Sequence, residues 1–132
     1  MGAVGPFLIF AMMTAGAAQA QDVRDGKALY DRYCAACHGP NARGDGPMRM
    51  VLTVVPSDLT ALQRANGGHF PLARAVQRID GRDPIVAHGS EMPIYGDFFE
   101  VRSVALRTER GETVMVSPPM ADLVAYLESL QR

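Results

Sequence analysis

Apolar residues recur at helical spacing along much of this chain. The clearest case is the last segment, where Leu123, Val124, Leu127 and Leu130 fall on one face. Ser117 is a candidate N-cap there, and Pro118 suits the first turn. Near the start, Val23, Leu29, Tyr30 and Tyr33 share a face, predicting a helix from Asp22 to about Ala36. Asp22 would cap it, with Asp25 as a weak capping box. Phe70, Ala73, Val76 and Ile79 give a third stripe, on a helix starting at Pro71 and ending at Asp80-Gly81. A shorter helix, capped by Ser57 or Thr60, runs to about Ala65 and stops at Asn66-Gly67-Gly68. Residues 39–57 are rich in Gly and Pro and read as loop, with a turn at Gly44-Asp45-Gly46-Pro47. Between residues 101 and 116 the pattern changes. Val101–Thr108 and Thr113–Val116 flank Glu109-Arg110-Gly111-Glu112, and a small β-hairpin within 103–116 is favoured over a helix. The prediction is an all-α domain with one small hairpin.

The first 20 residues carry no charged side chain, so all 13 basic and all 14 acidic residues follow them. Phe7–Met13 is apolar but too short to span a bilayer, which takes about 20 residues. It leads into Ala18-Gln19-Ala20, a signal-peptidase signature. The expectation is a leader over 1–20 and one domain over 21–132. The leader lacks a basic start, so an uncleaved anchor is the alternative. A net charge of −1, with Lys27 the only lysine, does not suit nucleic acid. The chain has no Trp, and without its leader it holds only a modest apolar supply for a core.

Two cysteines stand three apart, followed at once by histidine: Cys34-Ala35-Ala36-Cys37-His38. A Cys-x-x-Cys pair can be a redox dithiol, half a zinc site, or part of a covalent haem site. Zinc needs four ligands, and no second cysteine pair exists. Haem attachment explains the full pattern. Each thiol adds to one vinyl group on the same porphyrin edge, and the adjacent imidazole becomes the proximal iron ligand. Cys34 and Cys37 are therefore the candidate thioethers and His38 the candidate iron ligand, for one haem c.

A low-spin electron carrier needs a second axial ligand, and a Met thioether raises the reduction potential. Met48, Met50, Met92, Met115 and Met120 lie downstream of His38. Met92 is preferred because His88-Gly89-Ser90-Glu91-Met92-Pro93-Ile94-Tyr95-Gly96 reads as a loop stiffened just past the sulfur. His88, Met115 and Met120 are its competitors. His69, beside Gly67-Gly68, reads as a surface residue.

These features resemble the class I c-type cytochromes. Gly26 with Tyr30 looks like the family's Gly-x-x-x-aromatic pair, and Leu123 with Tyr126 like its partner in the last helix. Gly46-Pro47 resembles the loop whose proline carbonyl accepts a hydrogen bond from the proximal imidazole, which would give Pro47 that role toward His38. Pro56-x-Asp58-Leu59-Thr60, Asn66-Gly67-Gly68, Ile79-Asp80-Gly81-Arg82 and Met92-Pro93-x-x-Gly96 resemble a set found in bacterial monohaem cytochromes. The resemblance implies the cytochrome c fold, with the N- and C-terminal helices crossing around a covalent haem, and haem loading outside the cytoplasm. Two departures stand out. The 97–117 stretch is longer than a minimal member requires, and the lysine ring that some eukaryotic members use for docking is absent.

The function expected is transfer of single electrons by an exported, periplasmic monomer between redox-partner proteins, with no catalysis of its own. Membrane contact is expected only if the leader stays attached. The competing readings are a haem protein with a displaceable distal ligand, acting as gas sensor or peroxidase, and an electron-entry subunit of a larger oxidoreductase.

Overall fold

The computed structural model describes residues 21–82, 92–96 and 103–132. The predicted leader (1–20), His88 and the first part of the 97–117 stretch lie outside the described residues.

Helix α1 spans Val23–Tyr33. Asp22 is extended, and its carboxylate accepts the N–H groups of Arg24 (2.8 Å) and Asp25 (3.4 Å), two of the donors a helix start leaves without partners. The N–H of Asp22, which a capping box would satisfy from Asp25, instead donates to Asp122 in the last helix at 2.7 Å. The helix ends earlier than its sequence pattern implied. Cys34 breaks it, and a separate one-turn helix α2, Ala35–His38, follows.

After a 3₁₀ turn at Pro47–Val51, a second 3₁₀ segment, Leu59–Ala61, runs into α3, Leu62–Ala65. Its cap is neither Ser57 nor Thr60. Asp58 accepts both the N–H (2.9 Å) and the hydroxyl (2.6 Å) of Thr60. Helix α4, Leu72–Asp80, buries Leu72, Val76 and Ile79 and ends at Gly81 in the left-handed conformation. Pro71 stands one position before the helix, as its cap.

The hairpin predicted for 103–116 is present. Strand β1, Val104–Arg107, pairs antiparallel with β2, Thr113–Val116, with Val104 opposite Val116 and Arg107 opposite Thr113. Thr108 closes the turn: its N–H donates to the Glu112 carbonyl (2.9 Å) and its hydroxyl accepts the Glu112 N–H (3.1 Å). Leu106 and Val116 are buried, so one face of the pair joins the core.

Helix α5, Pro118–Ser129, follows directly, with Ser117 capping the Met120 N–H at 3.4 Å. Its buried residues are Met120, Ala121, Leu123, Val124, Tyr126 and Leu127. It crosses α1 at close range. A side chain at Gly26 would run into the Asp122 carbonyl and come within 2.9 Å of the Tyr126 Cβ, so the crossing requires glycine there. The fully buried Tyr30 sets its ring 5.3 Å from that of Tyr126, inclined by 54°. Beyond α5, Gln131 accepts the Gln63 N–H (2.8 Å) and donates to the Leu59 carbonyl (2.8 Å), fastening the last residues to the 3₁₀ turn. The described residues are thus dominated by helices, with one small sheet. Among the described residues no helix is long and apolar enough to cross a membrane.

Candidate haem-binding site

The site is built around the break between α1 and α2. The N–H of Cys34 still bonds the Tyr30 carbonyl (2.8 Å), while those of Cys37 (3.1 Å) and His38 (2.9 Å) turn back onto the Cys34 carbonyl. This single turn brings both cysteines and the histidine together at the end of the helix that α5 clamps. Both thiols are half-buried and free. Burial pushes the Cys34 thiol up to about 11, with a further contribution from Cys37, so it stays protonated at neutral pH.

His38 is held by its backbone-facing nitrogen. Nδ1 lies 3.0 Å from the carbonyl oxygen of Ser57. A carbonyl only accepts, so Nδ1 carries the proton and Nε2 keeps its lone pair. Burial lowers the imidazole pKa and the Ser57 bond partly offsets this, which favours the neutral ring that a metal ligand requires.

The resemblance gave this role to Pro47; the carbonyl that Nδ1 meets here is that of Ser57. The Gly46-Pro47 turn nevertheless sits against the attachment helix. The Gly46 N–H donates to the Cys37 carbonyl (3.1 Å), and a side chain at Gly46 would come within 2.6 Å of that oxygen. Pro47 then opens a 3₁₀ turn, Pro47–Val51, that packs on α2. The intervening loop is fixed from both sides. The Tyr30 hydroxyl donates to the Gly39 carbonyl (2.5 Å), and the Gly44 N–H donates to the His38 carbonyl (2.8 Å).

The methionines separate by environment. Met120 is 3% exposed within α5, Met115 is half exposed on β2, and Met50 is 89% exposed. Met92 is half-buried and packs against the core cluster, as do Cys34, Ala35 and Tyr95. His69 is exposed.

Sequence reasoning missed two residues at the site. Ser57 acts through its backbone, and no side-chain pattern announces that. Tyr95 ties the Met92 segment to the rest of the fold: its N–H donates to the Ile79 carbonyl (2.8 Å) and its hydroxyl to the Tyr33 carbonyl (2.9 Å). An aromatic residue three positions beyond Met92 was the available signal. Burial, with Cys34 and Cys37 nearby, raises the Tyr95 pKa, so its hydroxyl keeps the proton it donates.

Among the described residues no group of three or more His, Cys, Asp and Glu could hold a metal ion by itself. A haem fits what is present. Two thiols and a neutral imidazole share one turn, and the 3₁₀ turn packed on it leaves Met50 and Val51 exposed, with Val54 and Val55 exposed just beyond. Exposed apolar side chains on a turn packed against a ligand set, and just beyond it, are what a large apolar cofactor would cover.

The family model for cytochrome c matches residues 23–97, more than half of the chain. The chain belongs to the cytochrome c family. No curated protein and no solved structure matches it. The family binds haem covalently, which makes this chain a haem-binding electron-transfer cytochrome. The hairpin and α5 lie beyond the matched segment.

Proposed function

We propose that this cytochrome binds one haem c through Cys34 and Cys37, takes His38 Nε2 and the Met92 sulfur as axial ligands, and passes single electrons between redox-partner proteins outside the cytoplasm. The observation that carries this reading is the 3.0 Å contact of His38 Nδ1 with the Ser57 carbonyl, in a turn that also holds both thiols. It fixes the tautomer and orientation of the imidazole and makes it a better donor. The bound haem would supply a ferrous–ferric couple.

The chain's own work is to hold the ligands. Cys34 and Cys37 anchor the cofactor edge, Ser57 orients His38, and Met92 comes from a segment pinned against the core. Held by both His38 and Met92, the iron would have no position open to a substrate, as a carrier rather than a sensor or peroxidase requires. The uncharged leader ending in Ala18-Gln19-Ala20 supports export, where haem is joined to thiols.

The test is a set of visible spectra of the purified protein, oxidised and reduced, then with pyridine and with carbon monoxide. The expected result is a low-spin six-coordinate spectrum in both states, a pyridine derivative with two thioether links, and negligible carbon monoxide binding. Rapid binding to the reduced protein would transfer the assignment to a sensor or enzyme.

A further inference from the structure

We infer that Tyr95 is a positioning residue for the Met92 sulfur, bracing the distal segment against the helix that carries the haem-attachment turn. The inference deepens the proposed function and rests on Met92 as distal ligand. Tyr95 is tied to two elements. Its N–H holds the Ile79 carbonyl near the end of α4 (2.8 Å). Its hydroxyl holds the Tyr33 carbonyl (2.9 Å), and its ring lies 5.7 Å from that of Tyr33 at 56°. Tyr33 is the last residue of α1 and immediately precedes Cys34.

The neighbours of Tyr95 are pinned as well. Ile94 packs against Gly81, where a Cβ would sit 2.6 Å from the Ile94 side chain, and Gly96 packs so closely on α4 that a Cβ would lie 2.7 Å from the Asp80 carbonyl. Residues 94–96 are therefore fixed on one side by α4 and on the other by α1. Met92 is three residues upstream of Tyr95, with Pro93 stiffening the path between them. A bound haem would be joined to Cys34 on one side and ligated by Met92 on the other. The Tyr95–Tyr33 bond closes a short protein link between those two attachments, so it limits how far the sulfur can retreat from the iron.

The prediction is specific to the hydroxyl. Tyr95→Phe keeps the ring and removes one hydrogen bond. The holoprotein keeps two thioethers, but the equilibrium for loss of the sulfur ligand shifts by about fivefold, the scale of one such bond. The readouts are the near-infrared sulfur–iron charge-transfer band of the oxidised protein, followed with temperature, and the rate of carbon monoxide binding to the reduced protein. Tyr95→Phe weakens the band at lower temperature and speeds carbon monoxide binding. Gly96→Ala, which forces the same segment off α4, acts in the same direction and decides the matter alone if Tyr95→Phe does not yield holoprotein. Thr108→Ala, which loses a hydrogen bond in the hairpin turn away from the site, leaves both readouts unchanged. Unchanged band and carbon monoxide rate in Tyr95→Phe, or in Gly96→Ala if only that variant is obtained, would overturn the inference. Met92→Ala separates the two levels. If it retains the band, the ligand assignment has failed; if it loses the band while Tyr95→Phe is silent, only the brace has failed.

Discussion

His38 Nδ1 bonds the carbonyl oxygen of Ser57 at 3.0 Å, across 19 residues of chain. Because the acceptor is backbone, Ser57→Ala is expected to change little, within about 0.5 kcal/mol of stability and with no shift in potential. Gly44 gives a way to disturb the bond. Its φ is +76°, and a Cβ there would collide with the Pro56 carbonyl and sit 3.3 Å from the Ser57 carbonyl carbon. Gly44→Ala should therefore push the Pro56–Ser57 strand away from the imidazole. A weaker bond makes His38 a poorer donor, disfavours the ferric state and raises the reduction potential. Losing a bond of about 1 kcal/mol corresponds to about 40 mV for one electron. Voltammetry of the two holoproteins checks this, and a lower potential in Gly44→Ala would contradict the assigned role.

The attachment chemistry makes a graded prediction. Cys34→Ser and Cys37→Ser, taken singly, should each leave one thioether, visible as a pyridine spectrum with one unreacted vinyl group. The double variant should release all its haem on denaturation in acidified organic solvent. Haem that stays with the denatured double variant would exclude thioether attachment at these residues.

Gly26 sets helix propensity against packing. On propensity alone, Gly26→Ala should stabilise α1 by about 1 kcal/mol. The added Cβ, however, would overlap the Asp122 backbone, which cannot move without separating α1 from α5. Overpacking of this kind costs about 1–3 kcal/mol, and contact with backbone puts it at the upper end. The expected net result is a loss of about 2 kcal/mol in a denaturant titration of the holoprotein. A gain would show that the helices can part without penalty.

Much of this was legible in the sequence, and the parts that were not share a cause. The α5 stripe, the Ser117 cap and the 103–116 hairpin are local patterns, and each appears where its residues place it. The turn holding Cys34, Cys37 and His38 is local as well. What escaped notice depends on contacts between distant segments. The Asp22 N–H goes to Asp122 because α5 crosses there, so the local capping box is not completed from Asp25. Ser57 rather than Pro47 meets His38 because the loop folds back through Gly44 and Gly46. Tyr95 meets Tyr33 only because α4 and α1 converge on it. Asp58 replaces Ser57 and Thr60 as a cap for a subtler reason: its carboxylate can accept two donors of Thr60 together.

That cap gives a dependence on pH. The Thr60 hydroxyl and N–H hold the Asp58 carboxyl below the usual carboxylate range, with Arg132 and Arg43 adding to the effect. A depressed pKa means that the stabilisation is fully present above the ordinary value of 3.8 and is lost as pH falls through the folded value. Asp58→Asn keeps an acceptor but removes the charge. Wild type should exceed the variant by about 0.5 kcal/mol at neutral pH, as befits an exposed group, and the two stability curves should converge in acid. Curves that stay parallel below pH 4 would show that the charge contributes nothing.

The exposed apolar residues on and just beyond the 3₁₀ turn packed against α2 yield the most discriminating test of cofactor fit. Val51, Val54 and Val55 are 72%, 64% and 63% exposed in the polypeptide. Such exposure means that replacing them should cost the apo-protein almost nothing, since there is little buried area to lose. A haem seated against them would change the sign of the comparison, because burial of apolar surface stabilises by about 25 cal/mol per Å². The double variant Val51→Ser with Val54→Ser should therefore behave like the parent without haem. With haem it should lose about 2 kcal/mol, near the value of two partly covered valines. A dye that fluoresces on apolar surface should bind the parent apo-protein, bind the double variant less, and bind neither holoprotein strongly. Equal costs of the double substitution with and without haem would place the cofactor elsewhere on the α2 turn and leave this apolar run uncovered.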